Sequence, residues 1–168
     1  EIRRTESADL YWQAWTHTAD WLLDAQEGKI ATGDAALAAA IDAAERRDSP
    51  AALNATVLRA ALDVSLSDPE GAVRRIESAL DRYPLEGIPA LDRPTSGIVA
   101  ILARAGAVDE ARDILAAQRT ELGPLADRAR LGFETAEAWI AVAEERYSEA
   151  LPALRNADWG YGCQPCAD

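Results

Sequence analysis

Apolar and small residues recur three or four positions apart along most of the chain, which is the spacing of one helix face. Turn residues such as glycine and proline interrupt this pattern and separate one helix from the next. Ser7 is a suitable N-cap for the first helix, and Gly33 is expected to open the second. The pattern predicts helices at about 6–27, 34–47, 51–66, 69–83, 95–105, 108–122, 125–145 and 147–157.

A pair of residues repeats at intervals of 39 positions: a small residue near the start of a helix and an aliphatic residue four positions later. The pairs are Ala72 with Ile76, Ala111 with Leu115, and Ala150 with Leu154. A weaker earlier copy lies at Leu37 and Ile41. A fixed period of about 20–50 residues is typical of stacked helical repeats. Alanine, roughly a fifth of the chain, favours helices and lets them approach closely. An all-α fold follows.

The third repeat resembles a known family most clearly. In ILARAGAVDEARDILAAQ, the residues Leu102, Gly106, Ala111 and Leu115 stand at the characteristic positions of a tetratricopeptide repeat. The resemblance extends over 30–158. The long period is similar to that of repeats in bacterial multidomain regulators and signalling proteins.

The resemblance implies a right-handed α-solenoid of about four antiparallel helical hairpins. The hairpins would span about 6–47, 50–83, 94–122 and 125–157 within a single domain over 1–168, and the tail 158–168 is a candidate start of a further repeat. It also implies a non-enzymatic scaffold for protein–protein interaction.

The family's lysine and asparagine clamp for peptide carboxylates is absent, because apolar residues stand at the positions expected to face the groove. An apolar groove suits a hydrophobic helix or strand of a partner protein, or another copy of the chain. The candidate groove residues are Val57, Ala61, Val64, Ala100, Ala103, Trp139 and Val142.

The formal net charge of −12 and the pI near 4.5 argue against nucleic acid as a partner, since phosphates require a basic surface. No stretch reaches the roughly 18 apolar residues of a membrane span, so no membrane insertion is expected. The chain begins at Glu1 without methionine, as a processed form or an excised piece would. The composition assigns no compartment.

Aromatic residues are concentrated at both ends of the predicted repeat array, in the first helix and in the tail. Either these rings pack inside their own hairpins, or each end docks another domain, a partner or a further copy. Head-to-tail docking that does not close would produce a filament, which is the alternative function. The candidate end residues are Tyr11, Trp12, Trp15, Trp159 and Tyr161.

Cys163 and Cys166 are the two cysteines, in a Cys-x-x-Cys arrangement. They could form a disulfide, pack as thiols, bridge two chains, share a metal between chains, or act in redox chemistry. Metal binding and redox chemistry give a third functional hypothesis, after the binding scaffold and the filament. It is a thiol-based enzyme or metal carrier. One cysteine pair and a distant His17 supply too few ligands for zinc in a single chain, and no acid/base pair stands at catalytic spacing. We therefore expect no enzyme, no cofactor and no resident metal.

Overall fold

The computed structural model describes residues 2–47 and 50–161, with side chains for 9–47 and 50–155. These residues are helical with no strands, so the all-α prediction is confirmed. Three 3₁₀ segments, Leu85–Gly87, Ala90–Asp92 and Gly123–Ala129, lie between α-helices. The α-helices are α1 (Ile2–Gln26), α2 (Ile30–Glu45), α3 (Ala51–Ser65), α4 (Pro69–Arg82), α5 (Thr95–Arg104), α6 (Val108–Leu122), α7 (Arg130–Ala143) and α8 (Tyr147–Tyr161).

The chain forms two compact units, Glu1–Leu58 and Arg59–Asp168. In the first unit, α1 packs along α2. In the second, α5 contacts α4, α6 and α7, and α7 also contacts α6 and α8.

The first unit has its core between α1 and α2, around Trp21, which is 4% exposed. The predicted start of α2 was wrong, because the helix begins at Ile30 and Gly33 lies buried inside it. A Cβ at Gly33 would stand 3.3 Å from both the Asp24 Cβ and the Trp21 Cδ1. Gly33 therefore permits close approach of the two helices and does not open α2.

Two other predicted boundaries also change. The first helix begins at Ile2, so Ser7 lies inside it and is not its N-cap. The predicted helix 125–145 is a 3₁₀ segment followed by α7. Gly123 ends α6 with φ +49°, and Pro124 follows it, so the chain turns tightly before α7 can start.

One turn geometry recurs at four places, although the sequence shows no common turn residue. A residue with positive φ stands two positions before α2, α4, α6 and α8, and these residues are Gly28 (75°), Ser67 (64°), Gly106 (90°) and Glu145 (62°). Each lies 39 positions after the previous one. The amide of the next residue donates to a carbonyl five positions back, at 2.8 Å (Lys29 to Asp24), 2.9 Å (Asp68 to Asp63), 2.9 Å (Ala107 to Leu102) and 2.8 Å (Arg146 to Ala141). This pattern is the Schellman motif that ends helices.

The small residues of the sequence repeat occupy one position in this frame. They are the fourth residues of α4, α6 and α8, and Gly33 is the fourth residue of α2. All four are buried: Gly33, Ala72, Ala111 and Ala150. The 39-residue period thus extends to α2, with Gly33 and Leu37 in place of Ala72 and Ile76. The earlier copy predicted at Leu37 and Ile41 was placed four positions too late.

The repeated turn predicts that two substitutions at equivalent positions change the free energy of unfolding in opposite directions. Gly106→Ala should lower the free energy of unfolding by about 1 kcal/mol, because an alanine Cβ is disfavoured at positive φ. Glu145→Gly should raise it by up to about 1 kcal/mol, since it removes that strain. Urea denaturation followed by circular dichroism measures both changes.

Gly87→Ala is the matched control for this prediction. A Cβ has no neighbour within 4 Å at Gly87 or at Gly106, and only Gly106 has positive φ. Gly87→Ala should not destabilise the protein. Equal losses for the two alanine variants would contradict the conformational explanation.

A buried ion-pair network in the second unit joins the end of α3 to α4. Asp63 is 4% exposed and accepts hydrogen bonds from Arg59 Nη1 on one oxygen and from Arg75 Nε, at 2.7 Å, on the other. Its carbonyl also accepts the Asp68 amide of the repeated turn. Asp63 therefore connects α3, α4 and the turn between them, through its carboxylate and its main-chain carbonyl.

Candidate functional site

The first unit contains an apolar groove, which we call the aromatic groove. Its floor is alanine-rich, with Ala14 from α1, Ala40 and Ala44 from α2, and Ala51 and Ala55 from α3. Its remaining lining residues are Tyr11, Trp15, Thr18, Arg47, Asn54 and Leu58. Small floor residues leave room for another apolar element to approach closely.

Three rings stand beside this groove and remain open to solvent. Tyr11, Trp12 and Trp15 are 46%, 60% and 59% exposed. The Tyr11 and Trp12 rings meet edge to face at 5.3 Å between centroids, and Trp12 and Trp15 at 6.3 Å. The Arg47 guanidinium lies 5.2 Å from the centre of the Tyr11 ring. An exposed aromatic cluster of this kind is typical of a surface that binds another molecule.

The other candidate end residues cannot be compared with these three. The side chains of Trp159 and Tyr161 lie outside the described residues, as do Cys163 and Cys166. Docking at both ends, and every proposed use of the cysteines, stay predictions.

The candidate groove residues on α3, α5 and α7 differ in accessibility. Val57 and Ala103 are buried, whereas Ala61, Val64, Ala100, Trp139 and Val142 are half-buried. The Arg104 guanidinium lies 5.2 Å from the centre of the Trp139 ring. Val142 packs against the small-residue core formed by Ala138, Ala141 and Ala150. Ligand binding along this set stays a prediction.

A second cavity lies in the second unit, and we call it the polar pocket. It lies between the irregular segment 83–94, which links α4 to α5, helix α6 and the start of α7. Two arginines and no carboxylate line it among the described residues. Its walls include Arg93, Thr95, Ser96, Gln118, Leu131 and Phe133.

Arg93 holds one wall of the polar pocket in place. Its side chain is 6% exposed, and its Nε donates to the Ile88 carbonyl at 2.8 Å. Its two terminal nitrogens bind both carboxylate oxygens of Glu121, with Nη2 at 2.8 Å from Oε1. The hydrogen bond from Arg93 lowers the pKa of Glu121 below its usual value. Gln118 accepts from Arg93 Nη1 at 3.2 Å and donates to the Ala90 carbonyl, so the irregular segment is tied to α6.

Thr95 is the first residue of α5 and lines the polar pocket. The residue is 4% exposed, and its Oγ1 is buried with no hydrogen-bond partner in the described part of the chain. The preceding residue, Pro94, provides no side-chain cap for the helix. The start of α5 therefore presents unsatisfied donors from both the side chain and the main chain.

Sequence reasoning did not find the polar pocket. Its residues come from 90–96, 118 and 128–135, and only folding brings them together. The one local signal was the start of α5, Pro94-Thr95-Ser96, where a proline replaces the usual capping residue and no acid follows in the first turn.

His17, Glu77 and Glu110 line neither the aromatic groove nor the polar pocket. His17 Nδ1 is 4.0 Å from Asp20 Oδ2. Partial burial raises the pKa of Glu110, and the neighbouring Glu77 carboxylate raises it further. In the described ranges, no three histidine, cysteine or acidic residues are grouped so as to hold a metal ion. None of the helices described there is both long and apolar enough to cross a membrane.

The chain matches no protein-family model, no curated protein and no solved structure.

Proposed function

We propose that the chain is a non-enzymatic protein-binding module, built as a right-handed solenoid of helical repeats similar to tetratricopeptide repeats. The repeated Schellman turns and the buried small residue at the fourth position of α2, α4, α6 and α8 support the repeat. In stacked helical repeats, a helix contacts the other helix of its own hairpin and a helix of the next hairpin. The contacts of α5 with α6 and with α7 fit this arrangement.

The observation that carries the binding role is the exposed aromatic cluster beside the aromatic groove. Tryptophan and tyrosine are the residues most often found at the energetic centre of protein interfaces. Here they border a floor of small residues between helices. Such a groove suits the apolar face of a partner's amphipathic helix, with anchor residues three or four positions apart.

Charge indicates which partner helix would be favoured. The chain carries a net charge of −12, so its long-range field attracts cationic partners and repels acidic ones. We therefore propose a partner helix with an apolar stripe and basic residues on its flanks. The attraction should speed association and weaken as salt rises.

Trp15→Ala should weaken binding of such a partner at least about tenfold, because Trp15 lines the groove and a central ring contributes on the order of 2 kcal/mol. The partner is first captured with the wild-type chain. Its binding segment is then synthesised as a peptide and titrated against purified wild type and variant by calorimetry.

Trp12→Ala is the matched control, since Trp12 is equally exposed on the same helix but does not line the groove. It should weaken binding far less than Trp15→Ala. Equal affinity of wild type and Trp15→Ala for the peptide would contradict the proposed site. Light scattering of the wild type tests the alternative of self-assembly, which predicts particle sizes that grow with concentration and shrink in Trp15→Ala.

A further inference from the structure

We propose that the polar pocket binds a small organic anion, with a carboxylate or phosphate group at the start of α5 and a compact apolar part against Leu131 and Phe133. The site lies wholly within the second unit, and it does not depend on the proposed protein-binding role.

The first reason is the group of donors at the start of α5. The first bond into the helix runs from the Ile98 amide to the Pro94 carbonyl, at 3.0 Å. The amides of Thr95, Ser96 and Gly97 precede it and have no acceptor within the helix. A helix start attracts negative charge, and α5 has no acidic residue in its first turn.

The contrast with α4 shows what α5 lacks. In α4, the Asp68 carboxylate accepts the Gly71 amide at 2.9 Å, and Glu70 adds a negative charge in the first turn. The chain supplies its own anion at that helix start. At α5, no described side chain does so.

The second and independent reason is the Thr95 hydroxyl. It is buried without a partner, and an unsatisfied buried hydroxyl destabilises a folded protein. Threonine in a helix has two common χ1 rotamers, so the hydroxyl can turn toward a bound acceptor without movement of the backbone. An anion in the pocket would satisfy this hydroxyl and the free amides together.

The charges and shape of the walls fit the same ligand. Arg128 lines the pocket and is exposed, so it adds positive charge at the rim. The positive charge of Arg93 is balanced by Glu121, which leaves Arg93 as a fixed wall. Leu131 and Phe133 supply an apolar surface beside the donors. A bare inorganic ion would leave that surface uncovered.

Three probes of equal ring size test the proposal on the full chain: benzoate, phenyl phosphate and the neutral benzyl alcohol. Binding is followed by the NMR shifts of the amides of Thr95, Ser96 and Gly97. We expect saturable shifts with at least one anion, with a Kd on the order of 1 mM, and about tenfold weaker binding of the alcohol. The tighter anion identifies the carboxylate or the phosphate class. Equal binding of the alcohol, or no saturable shift with either anion, would overturn the proposal.

Thr95→Val separates the site from the fold, because valine keeps nearly the same shape without the hydroxyl. We expect a higher Tm for the free protein and at least tenfold weaker anion binding. Arg128→Gln should weaken binding several-fold. Arg130→Gln should leave binding unchanged. Arg130 is exposed, and its Nε lies 3.8 Å from Glu134 Oε1. Wild-type affinity in Thr95→Val, or a lower Tm, would overturn the role of the hydroxyl.

Discussion

Trp21→Ala should lower the free energy of unfolding of the first unit by about 3–5 kcal/mol, the range for a tryptophan removed from a packed core. Trp21 is the largest side chain in that core and is 4% exposed. Its Cδ1 lies beside Gly33, where α2 approaches α1, and glycine has no side chain that could fill the space left by the indole. Urea denaturation followed by far-ultraviolet circular dichroism measures the loss.

Trp12→Ala makes the same chemical change on the same helix and serves as the control. Trp12 is 60% exposed and meets its aromatic neighbours edge to face. Its removal should cost about 1 kcal/mol or less. The effect on helix propensity is shared by the two variants, so the difference between them reports the burial and packing of Trp21 against the aromatic contacts of Trp12. Similar losses in both would contradict the placement of Trp21 in the core.

Asp63→Asn should destabilise the second unit by about 3 kcal/mol, near the lower end of the range for removing one partner from a buried ion pair. The substitution keeps the size of the side chain and removes the negative charge that faces Arg59 and Arg75. Arg59 is buried, so water cannot replace the lost carboxylate there. Arg75 has a partly exposed side chain, which moderates the loss.

Glu70→Gln is the control for an exposed pair. Glu70 Oε2 lies 3.6 Å from Arg74 Nη1, and both side chains are largely open to solvent. This variant should change stability by less than about 0.5 kcal/mol, and added salt should reduce the change further. The Asp63→Asn loss should persist in salt because the network is shielded. A loss no greater than that of Glu70→Gln would show that the network does not stabilise the unit.

The aromatic groove was partly predictable from the sequence. Tyr11, Trp12 and Trp15 could be singled out because so many rings on one helix exceed what a single buried face needs. Which rings would be buried was not predictable. Trp21 and Trp15 are the same residue type on one helix, and only the position of α2 separates a core residue from an exposed one.

The polar pocket could not be predicted in the same way. Local pattern indicates where α5 starts, but it does not show that Thr95 lines a cavity with Gln118 and Phe133. Gln118 and Phe133 are 23 and 38 positions from Thr95 in the chain, and their proximity depends on how α5, α6 and α7 pack. An uncapped helix start is visible in the sequence, whereas a buried hydroxyl without a partner is not.

The sequence by itself determined that the chain is helical and repeats with a period of 39 residues, because helix formation and small-residue contacts leave a local, periodic record. It located α3, α4, α5 and α6 within a residue of their observed limits. The tertiary structure decided the turns at Ser67 and Glu145, where a positive φ occurs without a glycine. It also decided the role of Gly33, the exposure of Trp15 and the surroundings of Thr95. Each of these depends on a neighbour distant in the chain, and no local pattern specifies that neighbour.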